Sequence, residues 1–222
     1  MLIWQTRKLL SWKKRLKNSA GLSMKTLIVN SYRNDIEQKI NRVIEVVQKF
    51  SSFQVVNDVG LFDPERFIDY DAIVLSGSGD LLSRGAYSKT YIGFLRHNTI
   101  PCLGICYGHQ MLAQAFGGKI FCGLRRIEYN ETVRIIKNNR LFKDLPSEIS
   151  VVESHIEHVD LSSLSIAGFE VLANSASCDV ESIKHIEHYF YGVQFHPERS
   201  GVVGETIFKN FFDVVREKKS YK

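Results

Sequence analysis

Two short segments carry residue types that together could break an amide bond. In Gly104-Ile-Cys106-Tyr-Gly108-His-Gln110 a thiol stands between two glycines. At the N-terminus of a helix a cysteine has its thiolate favoured by the dipole and by backbone N–H groups, and the thiolate is the nucleophilic form. The glycines predict a tight turn with room left for a substrate, the cysteine counterpart of the nucleophile elbow of hydrolases. The second segment is Gly192-Val-Gln-Phe-His196-Pro-Glu198, which offers a histidine with a carboxylate two residues on. A proline between them fixes the backbone, so that Glu198 can hold the imidazole in one tautomer and stabilise its cation. Cys106, His196 and Glu198 are therefore candidates for nucleophile, base and orienter.

Such groups need a scaffold, and the apolar pattern from Lys25 onward supplies one. Lys25–Asn30 reads as a buried strand, and Ile36, Ile40, Val43, Ile44 and Val47 recur at helical spacing on a helix ending near Phe50. Phe53–Val56 is a second strand, Asp63-Pro64 caps a short helix, and Asp71–Leu75 is a third strand running into Ser76-Gly-Ser-Gly-Asp80. A helix over Ser88–Arg96 and a strand over Pro101–Ile105 precede the cysteine; the helix after it stops at Gly117-Gly118. Strands alternating with helices predict an α/β fold, a mostly parallel open sheet wrapped by helices. The second half shifts to β-rich segments near 119–123, 131–136, 149–154, 170–173, 181–185 and 189–195, which predict a smaller antiparallel region. A last helix buries Ile207, Phe208, Phe211, Phe212 and Val215.

Length and composition bound the function classes. The 222 residues are 44% hydrophobic and 24% charged, enough for a full core, and no apolar run approaches the roughly 20 residues of a membrane span. The net charge of +5 invites a nucleic-acid reading, but residues 1–23 hold six basic residues and no acid. The rest has 23 basic against 24 acidic residues, so neither nucleic acid nor membrane is an expected partner. Leu9, Trp12 and Leu16 lie at helical spacing beside the lysines, so the tail reads as an amphipathic surface or partner helix, as an extension preceding a single domain over 24–222, or as sequence upstream of a start at Met24. Cys102, Cys122 and Cys178 lack paired spacing and read as reduced thiols of a cytoplasmic protein. The repeated His-Ile-Glu-His at 155–158 and 185–188 is not read as a metal site, because i and i+3 point to opposite faces of a strand.

Gly-x-Cys-x-Gly-x-Gln followed some 90 residues later by Phe-His-Pro-Glu resembles the class I (triad) glutamine amidotransferase family, and the resemblance spans about residues 24–218. It implies a flavodoxin-like fold and hydrolysis of L-glutamine without a cofactor, with the ammonia passed to an ATP-dependent synthetase on a separate chain. It also implies an oxyanion site built from the Tyr107 N–H and the turn after the third strand. There Gly77-Ser78-Gly79-Asp80 replaces the usual Gly-Gly-Pro, and Ser78 makes any peptide flip harder. Gln110, Ser154 and His155 resemble the family's glutamine-holding positions. The same turn faintly resembles the phosphate loop of ATP pyrophosphatases, but no second nucleotide-binding region accompanies it.

The acceptor of the ammonia is less determined. Ser154-His155-Ile-Glu157-His158-Val159 and Asp179–His185 resemble segments of GMP synthase amidotransferase subunits, whereas Arg199-Ser200 resembles the histidine-pathway and anthranilate or aminodeoxychorismate synthase branches. A stand-alone γ-glutamyl hydrolase and a catalytically weak binding module remain further readings.

Overall fold

The computed structural model describes residues 24–61, 67–85, 87–123 and 129–220. The tail at 1–23 and the Asp63-Pro64 cap lie outside the described residues. In chain order the elements are β1 (Lys25–Asn30), α1 (Ile36–Val47), β2 (Ser52–Asn57), β3 (Ala72–Leu75), α2 (Lys89–His97), β4 (Cys102–Ile105), α3 (Tyr107–Ala115) and β5 (Ile120–Cys122). There follow β6 (Tyr129–Ile135), β7 (Glu148–Glu153), β8 (Glu157–Val159), α4 (Leu161–Leu164), β9 (Phe169–Ser175), β10 (Ser182–His185), β11 (Phe190–Val193) and α5 (Gly201–Ser220).

One nine-stranded sheet runs in the order β2-β1-β3-β4-β11-β10-β9-β6-β7. Its first five strands are parallel, in the flavodoxin-like arrangement that the sequence led us to expect. From β11 onward every pairing is antiparallel. The antiparallel region therefore extends the same sheet, and only the β5–β8 ribbon stands apart.

Burial explains which strand went where. β1 is buried from Thr26 on, and β3, β4 and β11 are buried throughout, as strands covered on both faces must be. Successive side chains serve opposite layers. Ile28 and Val74 pack with Ile40, Val43 and Val47 of α1 and with Ile207, Phe208, Phe211 and Phe212 of α5. Leu27, Val29, Ile73 and Leu75 pack with Tyr91, Phe94 and Leu95 of α2 and with Met111 and Leu112 of α3. Strands β6 and β7 alternate buried and exposed residues, as a half-covered antiparallel pair should. Ile36, placed on the buried stripe by its spacing, is 43% exposed and is the first residue of α1.

Candidate active site

Strand β4 delivers Cys106 straight into α3, and the thiol-bearing residue itself takes the sharp turn. Its backbone is at φ 49° and ψ −102°, a conformation that costs an L-residue on the order of 1–3 kcal/mol and persists only where its surroundings impose it. Here they do: Cys106 N–H donates to Val193 O at 2.8 Å, and its carbonyl accepts from Gln110 N at 3.0 Å. The flanking glycines act differently from the expectation. Neither has a positive φ, and they do not leave space for a substrate. A Cβ on Gly104 would lie 2.5 Å from the Gly108 carbonyl, and one on Gly108 would lie 2.6 Å from Leu75 Cβ. They allow α3 to sit directly against β3 and β4.

Beyond β11, His196 turns its Nδ1 to Glu198 Oε1 at 2.7 Å, and the residue lines the same cavity as Cys106. Both the imidazole and the carboxylate are nearly buried, with side-chain exposures of 8% and 1%. Burial opposes the imidazolium, but the Glu198 charge and the thiol outweigh it and hold the His196 pKa well above its ordinary value. The three candidates named from sequence therefore converge from two strands. Ser200 adds a fastening. Its hydroxyl donates to His196 O at 2.8 Å and accepts from Val152 N at 3.0 Å, while His196 N–H donates to Val152 O at 2.8 Å.

A cavity of about 350 Å³ opens over the thiol, lined by Ser78, Gly79, Asp80, Gln110, Ser154, His155 and Glu157, with Lys39, Arg42 and Arg199 also on its wall. Tyr107 opens α3 beside the thiol, so its N–H lies in the helix's first turn. Ser78 has no positive φ, and its hydroxyl accepts from Asp80 N at 3.1 Å within the turn. Ser154 meets the site through its backbone, its carbonyl 3.9 Å from the Cys106 sulfur. Gln110 Nε2 donates to Glu157 O at 2.8 Å and to Gln194 Oε1 at 3.1 Å. With both amide hydrogens spent, Gln110 can offer the cavity only its carbonyl oxygen. His155 is likewise engaged, its Nδ1 3.2 Å from Glu157 O and its Nε2 3.2 Å from Glu153 Oε2.

Three residues near the thiol escaped the sequence reading of the site. Gln194 Nε2 lies 3.6 Å from Cys106 Sγ; it sits inside the His196 motif, but an uncharged side chain gave no signal there. Tyr32 lines the same cavity as the thiol, and a Cβ on Gly77 would come within 3.1 Å of its hydroxyl and 3.2 Å of the His196 ring. Glu157 was visible only as part of a resemblance. The first histidine pair also differs from expectation, whereas the second stands at the turn between the antiparallel strands β10 and β11. His155 and His158 have ring centroids 4.7 Å apart, and His185 and His188 4.6 Å. One residue of each pair lies off the strand, so the two-residue alternation does not separate them. Among the described residues no group of three metal-ligating side chains forms.

Comparisons with known proteins bear on the family and the fold. The sequence pattern of the family described as glutamine amidotransferase class-I matches residues 25–215. The glutamine-hydrolyzing GMP synthase subunit of Methanobrevibacter smithii is 34% identical over 195 residues, covering 87% of this chain and 97% of its own. That of Pyrococcus abyssi is 40% identical over 141 residues, 63% of this chain and 72% of its own. A crystal structure from Thermoplasma acidophilum, assigned as a GMP synthase subunit, superposes with a TM-score of 0.75 at 25% identity, covering 89% of this chain and 97% of that one. A match that runs from the first strand into the last helix, and takes in both thiol and imidazole, places this chain in the class I glutamine amidotransferase family.

Proposed function

We propose that residues 24–222 form one amidotransferase domain that hydrolyses L-glutamine to glutamate and ammonia through Cys106, His196 and Glu198, and passes the ammonia to a separate ATP-dependent synthetase of the GMP synthase type. The observation that carries this is the buried Glu198–His196 contact at 2.7 Å on the wall of the cavity that also holds a thiol at a strained turn. The acceptor rests on the relatives named as GMP synthase subunits. Among the described residues no helix is long and apolar enough to cross a membrane, and all four cysteines are free, in keeping with a reduced, cytoplasmic setting.

In this reading the Cys106 thiolate attacks the side-chain carboxamide carbon, and the carbonyl electrons move onto oxygen. The Tyr107 N–H and a backbone N–H of the turn at Ser78 receive that oxyanion. His196 then protonates the departing nitrogen, leaving a γ-glutamyl thioester on Cys106. The ring, now neutral, takes a proton from water, whose oxygen attacks the thioester; the C–S bond breaks, glutamate leaves and the Cys106 thiolate and the imidazolium are restored, with Glu198 fixing the ring throughout. Gln110, Ser154 and His155 shape the pocket that holds the glutamine.

The test is steady-state glutaminase kinetics on the full chain, alone and with a GMP synthase-type synthetase and its nucleotide substrates. Turnover that rises by about 10²–10³, the worth of one oxyanion donor brought into line, supports the gated subunit. High turnover that no synthetase changes would favour a stand-alone hydrolase.

A further inference from the structure

The turn Ser76–Asp80 follows β3 without secondary structure of its own and shares the cavity wall with the thiol, yet a donor aimed at an oxyanion must keep its place to within about half an ångström. Three fastenings hold this turn. At its start the Ser76 hydroxyl accepts from Ser31 N at 2.9 Å. Near its end Asp80 pairs with Arg33 Nε at 3.0 Å, and Arg33 also forks onto the buried Asp58. Just beyond, both oxygens of one carboxylate are used: Glu157 Oε2 accepts from Leu82 N at 2.6 Å and Oε1 from Ser83 N at 2.9 Å.

The third fastening differs from the others because of what else Glu157 touches. It lies on the β5–β8 ribbon, paired with Cys122, and is only 2% exposed. Its carbonyl accepts from Gln110 Nε2 and lies 3.2 Å from His155 Nδ1, so its backbone belongs to the substrate wall while its side chain grips the turn. A carboxylate taking two backbone N–H groups in a buried place forms charge-assisted bonds, the strong kind. We propose that Glu157 is the positioning residue of the oxyanion turn, locking the segment after β3 to the wall that holds glutamine. This rests on the function proposed above and adds to it a residue that sets where the second oxyanion donor stands.

The test uses Glu157→Gln, which keeps the shape but removes the charge and points an N–H₂ group at a backbone N–H. A positioning role acts when negative charge develops on the substrate oxygen, so kcat for glutamine should fall by about 10- to 100-fold, part of the worth of a whole donor, with KM changed less than about threefold. Alkylation of Cys106 by iodoacetamide, which forms no oxyanion, should keep its wild-type rate. Leu82→Pro cuts the other end of the same bond. Leu81 is already extended at φ −108° and ψ 115° and Leu82 is the first residue of a short helical turn, so the backbone admits a proline there, at the cost of the buried Leu82 side chain. The double variant should lose no more than the worse single one. An unchanged kcat, a change in KM alone, or losses that multiply would each overturn the proposal. Should Glu157→Gln not fold, Leu82→Pro decides by the same kcat and alkylation readings. Wild-type turnover and its loss in Cys106→Ala are measured in parallel: absent Cys106-dependent turnover defeats the proposed function itself, whereas its presence with an unaffected Glu157→Gln defeats only this inference.

Discussion

Glu198→Gln isolates the charge that governs His196. The substitution keeps volume and reach, and the amide oxygen can still accept from Nδ1–H, but the carboxylate that counters the burial of the imidazolium is gone. In the native site that carboxylate is the main influence raising the His196 pKa against burial. Without it the main influence opposing burial is lost, the His196 pKa falls, and less of the ring exists as imidazolium. A hydrogen bond to a charged group is worth about 1.5–3 kcal/mol, or about 10- to 150-fold in rate. With the two side chains 8% and 1% exposed, little solvent screens this pair, so the upper half of that range is expected. The assay is kcat for glutamine together with the iodoacetamide alkylation rate of Cys106 at pH 7, and both should fall. A loss in kcat below about threefold, or an unchanged alkylation rate, would refute the assignment of Glu198 to holding the imidazolium.

Other perturbations test separate links. Cys106→Gly and Cys106→Ala should both abolish turnover, but only glycine relieves φ 49°; a gain of about 1 kcal/mol should raise its melting temperature some 2–4 °C above that of Cys106→Ala, and equal melting would deny the strain. His185 is pushed down to about 4, by burial and then by His188, so it stays neutral in the fold while the unfolded chain takes up a proton below about 6.5. The unfolded state then binds more protons, and stability is lost as pH falls from about 6.5 towards 4. Over that window wild type should lose more melting temperature than His185→Phe, and parallel curves would contradict the linkage. A chain beginning at Met24 should keep its glutaminase rate and melt within about a degree of the full chain; a drop of several degrees, roughly 1 kcal/mol or more, would show that the basic tail packs on the domain.

The sequence made the chemistry more legible than its setting. Cys106, His196 and Glu198 could be named because their types are rare in such spacing and because glycine and proline mark the turns that present them. The parallel strands were legible because burial on both faces leaves unbroken apolar runs such as Ala72–Leu75. β8, only three residues long and carrying Glu157 and His158, offered no such run. Gln194 reaches a thiol 88 residues away in the chain and Glu157 two backbone N–H groups 75 and 74 residues away, and no local pattern encodes such a distance. The flanking glycines were seen but misread, because what excludes a side chain at Gly104 is the backbone of α3, a tertiary contact.

The most direct test of the central claim is to treat the chain with a glutamine-like diazo-ketone and locate the adduct by peptide mass spectrometry, with glutamine hydrolysis followed on the same samples. One adduct per chain, on Cys106, appearing in step with the loss of glutamate production and suppressed by excess glutamine, is the predicted result. An adduct on Cys102, Cys122 or Cys178 in its place, or hydrolysis that survives full modification of Cys106, would contradict it.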